Sequence, residues 1–294
     1  MSKIIKSLSV LLITVVFCTS IVFAVNAADV EYVYNGYHYS LNENNMAVLC
    51  GWDNDSSTNL VIPDKLGDIF VAEIESFGFK NNKVITSVDF SNPTKFDNIG
   101  TYAFEGCSGL SGMIVLPRKI SFIGDAAFKD CSSIDSVEIN SNTDSVSRLC
   151  FSGCSSLKNV IINAGAKEIE AYAFQNCISL GTITISKTVT NINSTAFNGC
   201  GEFTIKCYKD SYAEQYAKDN GISYEILDPL YGDANEDGEV NILDVTFIQK
   251  YKIGTKAFAS AYGEKCADVN KSGDVTIRDA TLIQMKIAKI IENF

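Results

Sequence analysis

The sequence predicts a mostly β solenoid followed by a small α-helical module built on two oxygen-rich loops. Three observations carry this expectation. A phenylalanine recurs at steps of 24, 23, 23 and 23 residues, each copy followed three residues later by a cysteine. A twelve-residue loop dense in Asp and Asn begins at Asp233 and returns 35 residues later. A basic and then apolar segment precedes both.

That first segment has the layout of a secretory leader. Lys3 and Lys6 supply a positive start, and residues 8–25 are apolar apart from Ser9, Thr14, Thr19 and Ser20. Val25-Asn26-Ala27 offers small residues for cleavage before Ala28, so residues 1–27 read as a signal peptide. Two other readings stay open. The apolar run is long enough for a retained anchor, and Cys18 could carry a lipid, although bulky Phe17 stands where a small residue is expected. Once the leader is removed, no membrane span is expected.

Composition narrows the function classes. Of 294 residues, 46% are hydrophobic and 20% charged, as in ordinary globular proteins, and the net charge is −11. Such a chain repels nucleic acid and anionic lipid. It has no Lys/Arg-rich arm, so a nucleic-acid partner is not expected. Ten cysteines in an exported chain would point to disulfides. With Cys18 gone, however, nine remain, an odd number, and five of them share one repeat position. They read as buried thiols used as small hydrophobes.

The repeat fills the middle of the chain. Phe104, Phe128, Phe151, Phe174 and Phe197 are each followed by Cys107, Cys131, Cys154, Cys177 and Cys200, then by Leu110, Ile134, Leu157, Leu180 and Phe203. Five residues ahead of each Phe lies Ile99, Ile123, Val146, Ile169 or Ile192. A β-rich run follows each unit, such as Val160-Ile161-Ile162. Phe79 with Ile74 reads as an earlier copy without the cysteine. A unit of ~23 residues cannot hide its apolar side alone, so about six turns stack and their Phe, Cys and Leu positions form continuous ladders. The ladder residues are core. Variable positions beside the strands, namely Asp135, Ser136, Glu138, Lys158, Asn159, Ile161, Thr182 and Thr184, are the places for a ligand, or simply solvated surface.

The unit Ile123-Gly124-Asp125-Ala126-Ala127-Phe128-Lys129-Asp130-Cys131 resembles the bacterial surface-antigen class of leucine-rich repeats. Most units here lack that class's proline, and Cys150 replaces the alanine before Phe151. The resemblance implies a solenoid domain over residues 28–228. Residues 31–52 would form a β-rich N-terminal cap and residues 211–224 a closing helix and strand. It also implies protein recognition or adhesion, and the repeats are expected to face an unknown protein or carbohydrate ligand.

The second signal is metal chemistry. Asp233, Asn235, Asp237, Glu239, Asn241 and Asp244 occupy loop positions 1, 3, 5, 7, 9 and 12, with Gly238 at the sharp turn of position 6. Glu239 would contribute its backbone carbonyl. Asp268, Asn270, Ser272, Asp274, Thr276 and Asp279 repeat the frame around Gly273. This is an EF-hand-like Ca²⁺ loop ending in Asp, since Ca²⁺ takes six to eight hard oxygens. A single such loop could be a solvated acidic turn. Two in register, each leading into a helix, predict two bound Ca²⁺ ions, the second held more weakly because Ser272 and Thr276 are weaker ligands.

The duplicated Asp-x-Asn-x-Asp-Gly loop and helix, with no entering helix ahead of the loop, resembles a dockerin over residues 229–294. The resemblance implies docking to a cohesin domain of a scaffold protein, through residues of the two helices related by near-twofold symmetry. The implied contacts are Ile242 and Leu243 in one copy, Ile277 and Arg278 in the other, and Lys250, Met285 and Lys286 at the rim. It further implies a cellulosome or cell-surface setting and polysaccharide breakdown.

Catalysis is not expected. Glycosidases need two carboxylates across a cleft, but repeats take up residues 60–206. The one histidine, His38, falls in the cap, and no zinc or phosphate-cradling motif appears. The chain therefore reads as a secreted binding or adhesion protein. The rival readings are a carbohydrate-binding subunit, a protease-inhibiting subunit and a hydrolase with an unrecognised site.

Overall fold

The structure, a computed structural model, describes residues 2–5, 30–53, 57–140, 142–236, 238, 240–258 and 261–294. Most of the expected leader, with Cys18 and the cleavage site before Ala28, lies outside the described residues, as do the loop residues Asp237 and Glu239. Ser2–Ile5 pairs antiparallel with Val30–Tyr34. No helix among the described residues is long and apolar enough to cross a membrane.

The cap is an antiparallel meander of Val30–Tyr34, Tyr37–Leu41 and Ala47–Trp52. Its first hairpin turns at Asn35-Gly36 with φ of 48° and 81°. Two successive left-handed residues match the twist of the flanking strands, which is why Asn-Gly stands there. Tyr39 is fully buried, and the Tyr37 ring lies 6.2 Å from Trp52. The Tyr37 hydroxyl donates to the Val61 carbonyl at 2.6 Å. The aromatic cluster of the cap thus covers the open edge of the first coil.

Each coil carries one longer strand, and these form two parallel sheets: Asn59–Val61 with Ser87–Asp89, and a second of Gly112–Leu116, Ile134–Ile139, Asn159–Ile162, Thr182–Ile185, Thr204–Cys207 and Ser223–Ile226 in order. The solenoid therefore has about eight turns rather than the six that the phenylalanines count. The extra turns, at Asn59–Val61 and Ser223–Ile226, lack the Phe-x-x-Cys signature and join by backbone pairing. Inward positions such as Val137, Ile139, Val160, Ile162, Ile183 and Ile185 are buried, and the alternate positions face out, as a pleated strand requires. The isoleucines five residues ahead of each Phe sit in two-residue strands such as Asn98–Ile99, Phe122–Ile123 and Glu168–Ile169. Strands that short leave no readable alternation in a sequence.

The ladders run through the core. Rings of Phe79, Phe104, Phe128, Phe151, Phe174 and Phe197 stack in order, with centroids 5.2–5.6 Å apart and planes within 10°. The cysteines do more than fill space. Each thiol donates to the carbonyl of the phenylalanine one coil back: Cys107 to Phe79 at 3.0 Å, Cys131 to Phe104 at 3.1 Å, Cys154 to Phe128 at 3.3 Å, Cys177 to Phe151 at 3.2 Å and Cys200 to Phe174 at 3.1 Å. Each of these carbonyls also accepts a backbone N–H within its own coil, such as that of Cys107 on Phe104 at 3.1 Å, so the thiol is a second donor that ties one coil to the one before it.

A second periodicity spans two coils. The residue two after each phenylalanine is left-handed, and it alternates between Asn or Asp and Gly: Asn81, Gly106, Asp130, Gly153, Asn176, Gly199. A Cβ at Gly106, Gly153 or Gly199 would lie 2.2–2.3 Å from the Oδ1 of Asn81, Asp130 or Asn176. The amide or carboxylate of one coil thus occupies the space that the glycine of the next leaves open.

Helix α1 (Tyr212–Asp219), capped by Ser211 accepting the Glu214 N–H, packs Tyr216 near Phe197 and closes the solenoid as expected. The C-terminal module has its own small core and three helices, α2 (Ile242–Lys252), α3 (Ala261–Ala267) and α4 (Ile277–Ile287). The core repeats with the sequence at 35-residue spacing: Ala234 with Val269, Val245 with Ala280, Ile248 with Ile283. The sequence reading placed no entering helix ahead of either loop. For the second loop this is corrected, because α3 ends directly before Asp268.

Candidate metal loops and docking surfaces

Both loops fold around the carboxylate at position 12. Asp244 is fully buried, and its two oxygens accept the N–H of Asn235 at 3.2 Å and of Asn241 at 2.8 Å. Asp279, also fully buried, accepts the equivalent N–H groups of Asn270 at 3.3 Å and Thr276 at 2.8 Å. The position-9 side chains, Asn241 and Thr276, cap α2 and α4, and each makes a capping box with its Asp. At position 1, Asp233 accepts the Gly238 N–H at 3.0 Å and Asp268 that of Gly273 at 2.7 Å. Ser272 donates its N–H to both Asp268 and Asn270 at 2.9 Å. Backbone φ at positions 4 and 6 is left-handed in both copies, 59° and 83° at Glu236 and Gly238, 56° and 94° at Lys271 and Gly273. The two segments thus share side-chain chemistry and chain path alike.

The donor set fits Ca²⁺. It is all oxygen, with carboxylates at the two ends of each loop and at position 5 of the first, amides or hydroxyls at the other side-chain positions, and no soft sulfur ligand. Among the described residues, no three His, Cys, Asp or Glu side chains cluster as a metal group. The loops contribute amide, hydroxyl and carbonyl oxygens beside their carboxylates, and two acids of the first loop, Asp237 and Glu239, lie outside the described residues.

The expected docking residues are placed at the helix ends. Ile242, Leu243 and Ile277 are 54%, 54% and 51% exposed, large values for apolar side chains, and Arg278 and Lys250 are exposed as well. Lys252, at the end of α2, donates to the Val275 carbonyl just ahead of α4 at 3.1 Å. The two helices therefore run in opposite directions. Ile242 and Leu243 thus open α2, whose last turn carries Lys250, and Ile277 with Arg278 open α4, whose last turn carries Met285 and Lys286. Met285 is half-buried, and Lys286 lies over the Phe294 ring at 4.1 Å.

On the solenoid, the outward residues of the parallel sheet form two rows. Register places Met113, Ser136, Asn159, Thr182, Thr204 and Ser223 in one, and Val115, Glu138, Ile161, Thr184, Lys206 and Glu225 in the other. Of the other variable positions named above, Asp135 is half-buried and Lys158 exposed, both beside this sheet. On a different face, Phe77 and Phe122 are 52% and 51% exposed, and Phe77 stacks on Tyr102 at 5.1 Å. They border a hollow of about 520 Å³ floored by Glu73 and Asn98, a feature that no repeat position in the sequence signals. His38 is held between Glu31 at 2.6 Å and Asp53 at 2.5 Å, pinning the cap.

Residues 72–204 match the family model of the BspA type leucine rich repeat region in six copies, and residues 231–288 match that of the dockerin type I domain. The chain is similar to a leucine-rich repeat protein from Eubacterium ventriosum (21% identity, 56% of this chain and 50% of that one, TM-score 0.45). It spans half the length of that protein. It is also similar to the leucine rich repeat protein of T. pallidum (20% identity, 66% and 98%, TM-score 0.46). A further match is a ScaB dockerin, solved in complex with the third cohesin of ScaC from Acetivibrio cellulolyticus (32% identity, 23% and 93%, TM-score 0.22). No curated protein matches the chain.

Proposed function

We propose that this chain, which joins a BspA type leucine-rich repeat region to a type I dockerin domain, is a secreted, non-enzymatic binding protein of a cellulosome-type assembly. Type I dockerins bind calcium and dock to cohesins, and both modules are binding modules rather than catalytic ones. In this reading the mature chain starts near Ala28, the solenoid runs to residue 228 and the dockerin covers residues 229–294. Two Ca²⁺ ions sit in the loops, one held by Asp233, Asn235, Asp237, Glu239, Asn241 and Asp244, the other by Asp268, Asn270, Ser272, Asp274, Thr276 and Asp279. The ions shape the module so that one end of the helix pair meets a cohesin, while the sheet rows of the solenoid face a ligand in a polysaccharide-degrading setting.

The observation that supports this reading most is the conjunction of duplicated loop geometry with exposed apolar side chains directly after each loop. Ile242, Leu243 and Ile277 keep about half of their surface bare, and apolar side chains exposed in this way serve association. Capture of the protein on immobilised cohesin, with calcium and with EGTA, tests it. Capture in calcium alone is expected, and calcium-independent capture or none would refute it. Because Leu243 and Arg278 differ, one end is preferred. Exchanging Ile242-Leu243 with Ile277-Arg278 reverses the end used, and unchanged affinity of single-end variants after the exchange would count against that preference.

The exposed Phe77 and Phe122 beside Glu73 and Asn98 favour one second reading for the solenoid, carbohydrate binding, since sugar rings lie on aromatic faces while their hydroxyls reach amides and carboxylates. Phe77→Ala would then reduce retention on soluble polysaccharides in affinity electrophoresis.

A further inference from the structure

The first loop is not free-standing. Lys187, in the turn after Thr182–Ile185, sets its ammonium 3.3 Å from Glu236, with the two side chains only 13% and 11% exposed. Glu236 is position 4 of the first loop, which is not a metal-ligand position. The same ammonium lies 3.9 Å above the ring of Tyr262 in α3. Tyr262 in turn meets Tyr208, in the turn after Thr204–Cys207, edge to face at 5.4 Å. One coil earlier, Ala164 abuts Gly238 at position 6, where an added Cβ would lie 3.4 Å from the Ala164 nitrogen. Three successive coils thus each place one residue against the first loop and the helix beside it, leaving about 10 Å³ of free space between them.

The second loop has no such partner. Its position 4 is Lys271, which lies 4.7 Å over the ring of Tyr231 from the same module. Ser272, Gly273 and Asp274 are exposed, and nothing lies within 4 Å of a Cβ built on Gly273. Among the described residues the solenoid thus meets the first loop and helix α3, and leaves the second loop itself untouched.

We infer that the solenoid clamps the first loop, so that calcium loading of that loop and the fixed seating of the two modules are a single linked equilibrium. The inference rests on the calcium reading above. Glu236 reaches Lys187, and Gly238 fits against Ala164, only in the closed path in which both residues are left-handed and Asp233 accepts the Gly238 N–H. An open loop withdraws both contacts at once. Whatever the ion adds to the seating, the seating adds to the ion's affinity by the same factor. The solenoid face thereby makes two sequence-similar loops unequal, and calcium loss frees the dockerin to swing relative to the repeats.

Calcium calorimetry and small-angle X-ray scattering on the full chain test this with Lys187→Met and Tyr208→Ala, both on the solenoid side. Removing the Lys187 charge by itself favours a nearby cation, so simple electrostatics predicts tighter binding in Lys187→Met. The clamp predicts the opposite: first-loop affinity falls by roughly fivefold or more in both variants, with the second loop unchanged. Their radius of gyration in calcium rises toward that of the wild type in EGTA. A wild-type chain that takes up no calcium overturns the calcium reading and this inference with it. A calcium-binding wild type whose affinities and scattering both variants preserve overturns the inference alone.

Discussion

The Asp244 carboxylate accepts the backbone N–H of Asn241 at 2.8 Å while buried completely. One side chain thus caps α2 and closes the first metal loop, and Asp279 repeats the arrangement with Thr276. Asp244→Ala and Asp279→Ala should each lower the calcium stoichiometry in calorimetry from two ions to one. Each should also cost about 1 kcal/mol of helix capping that added calcium cannot restore. The ion retained by Asp279→Ala should be the more tightly held. Since metal binding and folding are coupled in so small a module, EGTA should remove its helical circular-dichroism signal, and an unchanged spectrum would contradict the coupling.

Gly153 and Asp130 stand on the two-coil alternation. Gly153→Ala places a methyl where Asp130 Oδ1 now sits and forces a side chain into φ +76°. A loss of roughly 1–3 kcal/mol is expected in urea unfolding. Asp130→Gly should recover the steric part but not the conformational part, so the double variant falls between wild type and Gly153→Ala. Equal stability of the double and single variants would show that the contact is immaterial.

The thiol ladder should react from its open end. Burial pushes the Cys154 thiol well up, whereas half-buried Cys200 is held down, because its thiolate can draw the Cys177 S–H away from the Phe151 carbonyl. The thiolate is the nucleophile, and Cys200 combines the larger thiolate fraction with access. Mass-resolved maleimide labelling near pH 8 should modify Cys200 at least about tenfold faster than Cys131 or Cys154, which react only on unfolding. Uniform labelling rates would refute this order.

His38 gives the cap a pH dependence of known sign. Its burial favours the neutral ring, but hydrogen bonds to Glu31 and Asp53 outweigh that and raise its pKa above 6.5. A raised folded value means that the contribution is complete below about pH 6.5 and fades as pH climbs through the folded pKa. The melting temperature of the wild type should therefore lose ground to that of His38→Gln between pH 6 and pH 9. A constant difference across this range would remove the ion cluster from the stability of the cap.

Most of the fold was legible, and the reason differs by element. The phenylalanine and cysteine ladders were readable because every coil spends the same residues on the same place. The duplicated loops were readable because they set oxygen side chains at fixed offsets around a glycine, the pattern that Ca²⁺ coordination demands. The coil at Asn59–Val61 was not, since its stacking uses backbone pairing with Ser87–Asp89 and spends no repeated side chain. Helix α3 escaped because seven residues, with Gly263 in their middle, carry too little pattern.

The sequence by itself determined the solenoid, its core positions, the closing helix and the duplicated loop and helix that follow, for these depend on local residue types recurring at a set period. Only the tertiary structure decided that the residues expected to dock stand at the starts of two helices running in opposite directions, and that Lys187 and Glu236 meet across 49 residues of chain. Such contacts join segments that share no period, so their partners are named by how the coils stack and the helices turn back, and by nothing in the neighbouring residues.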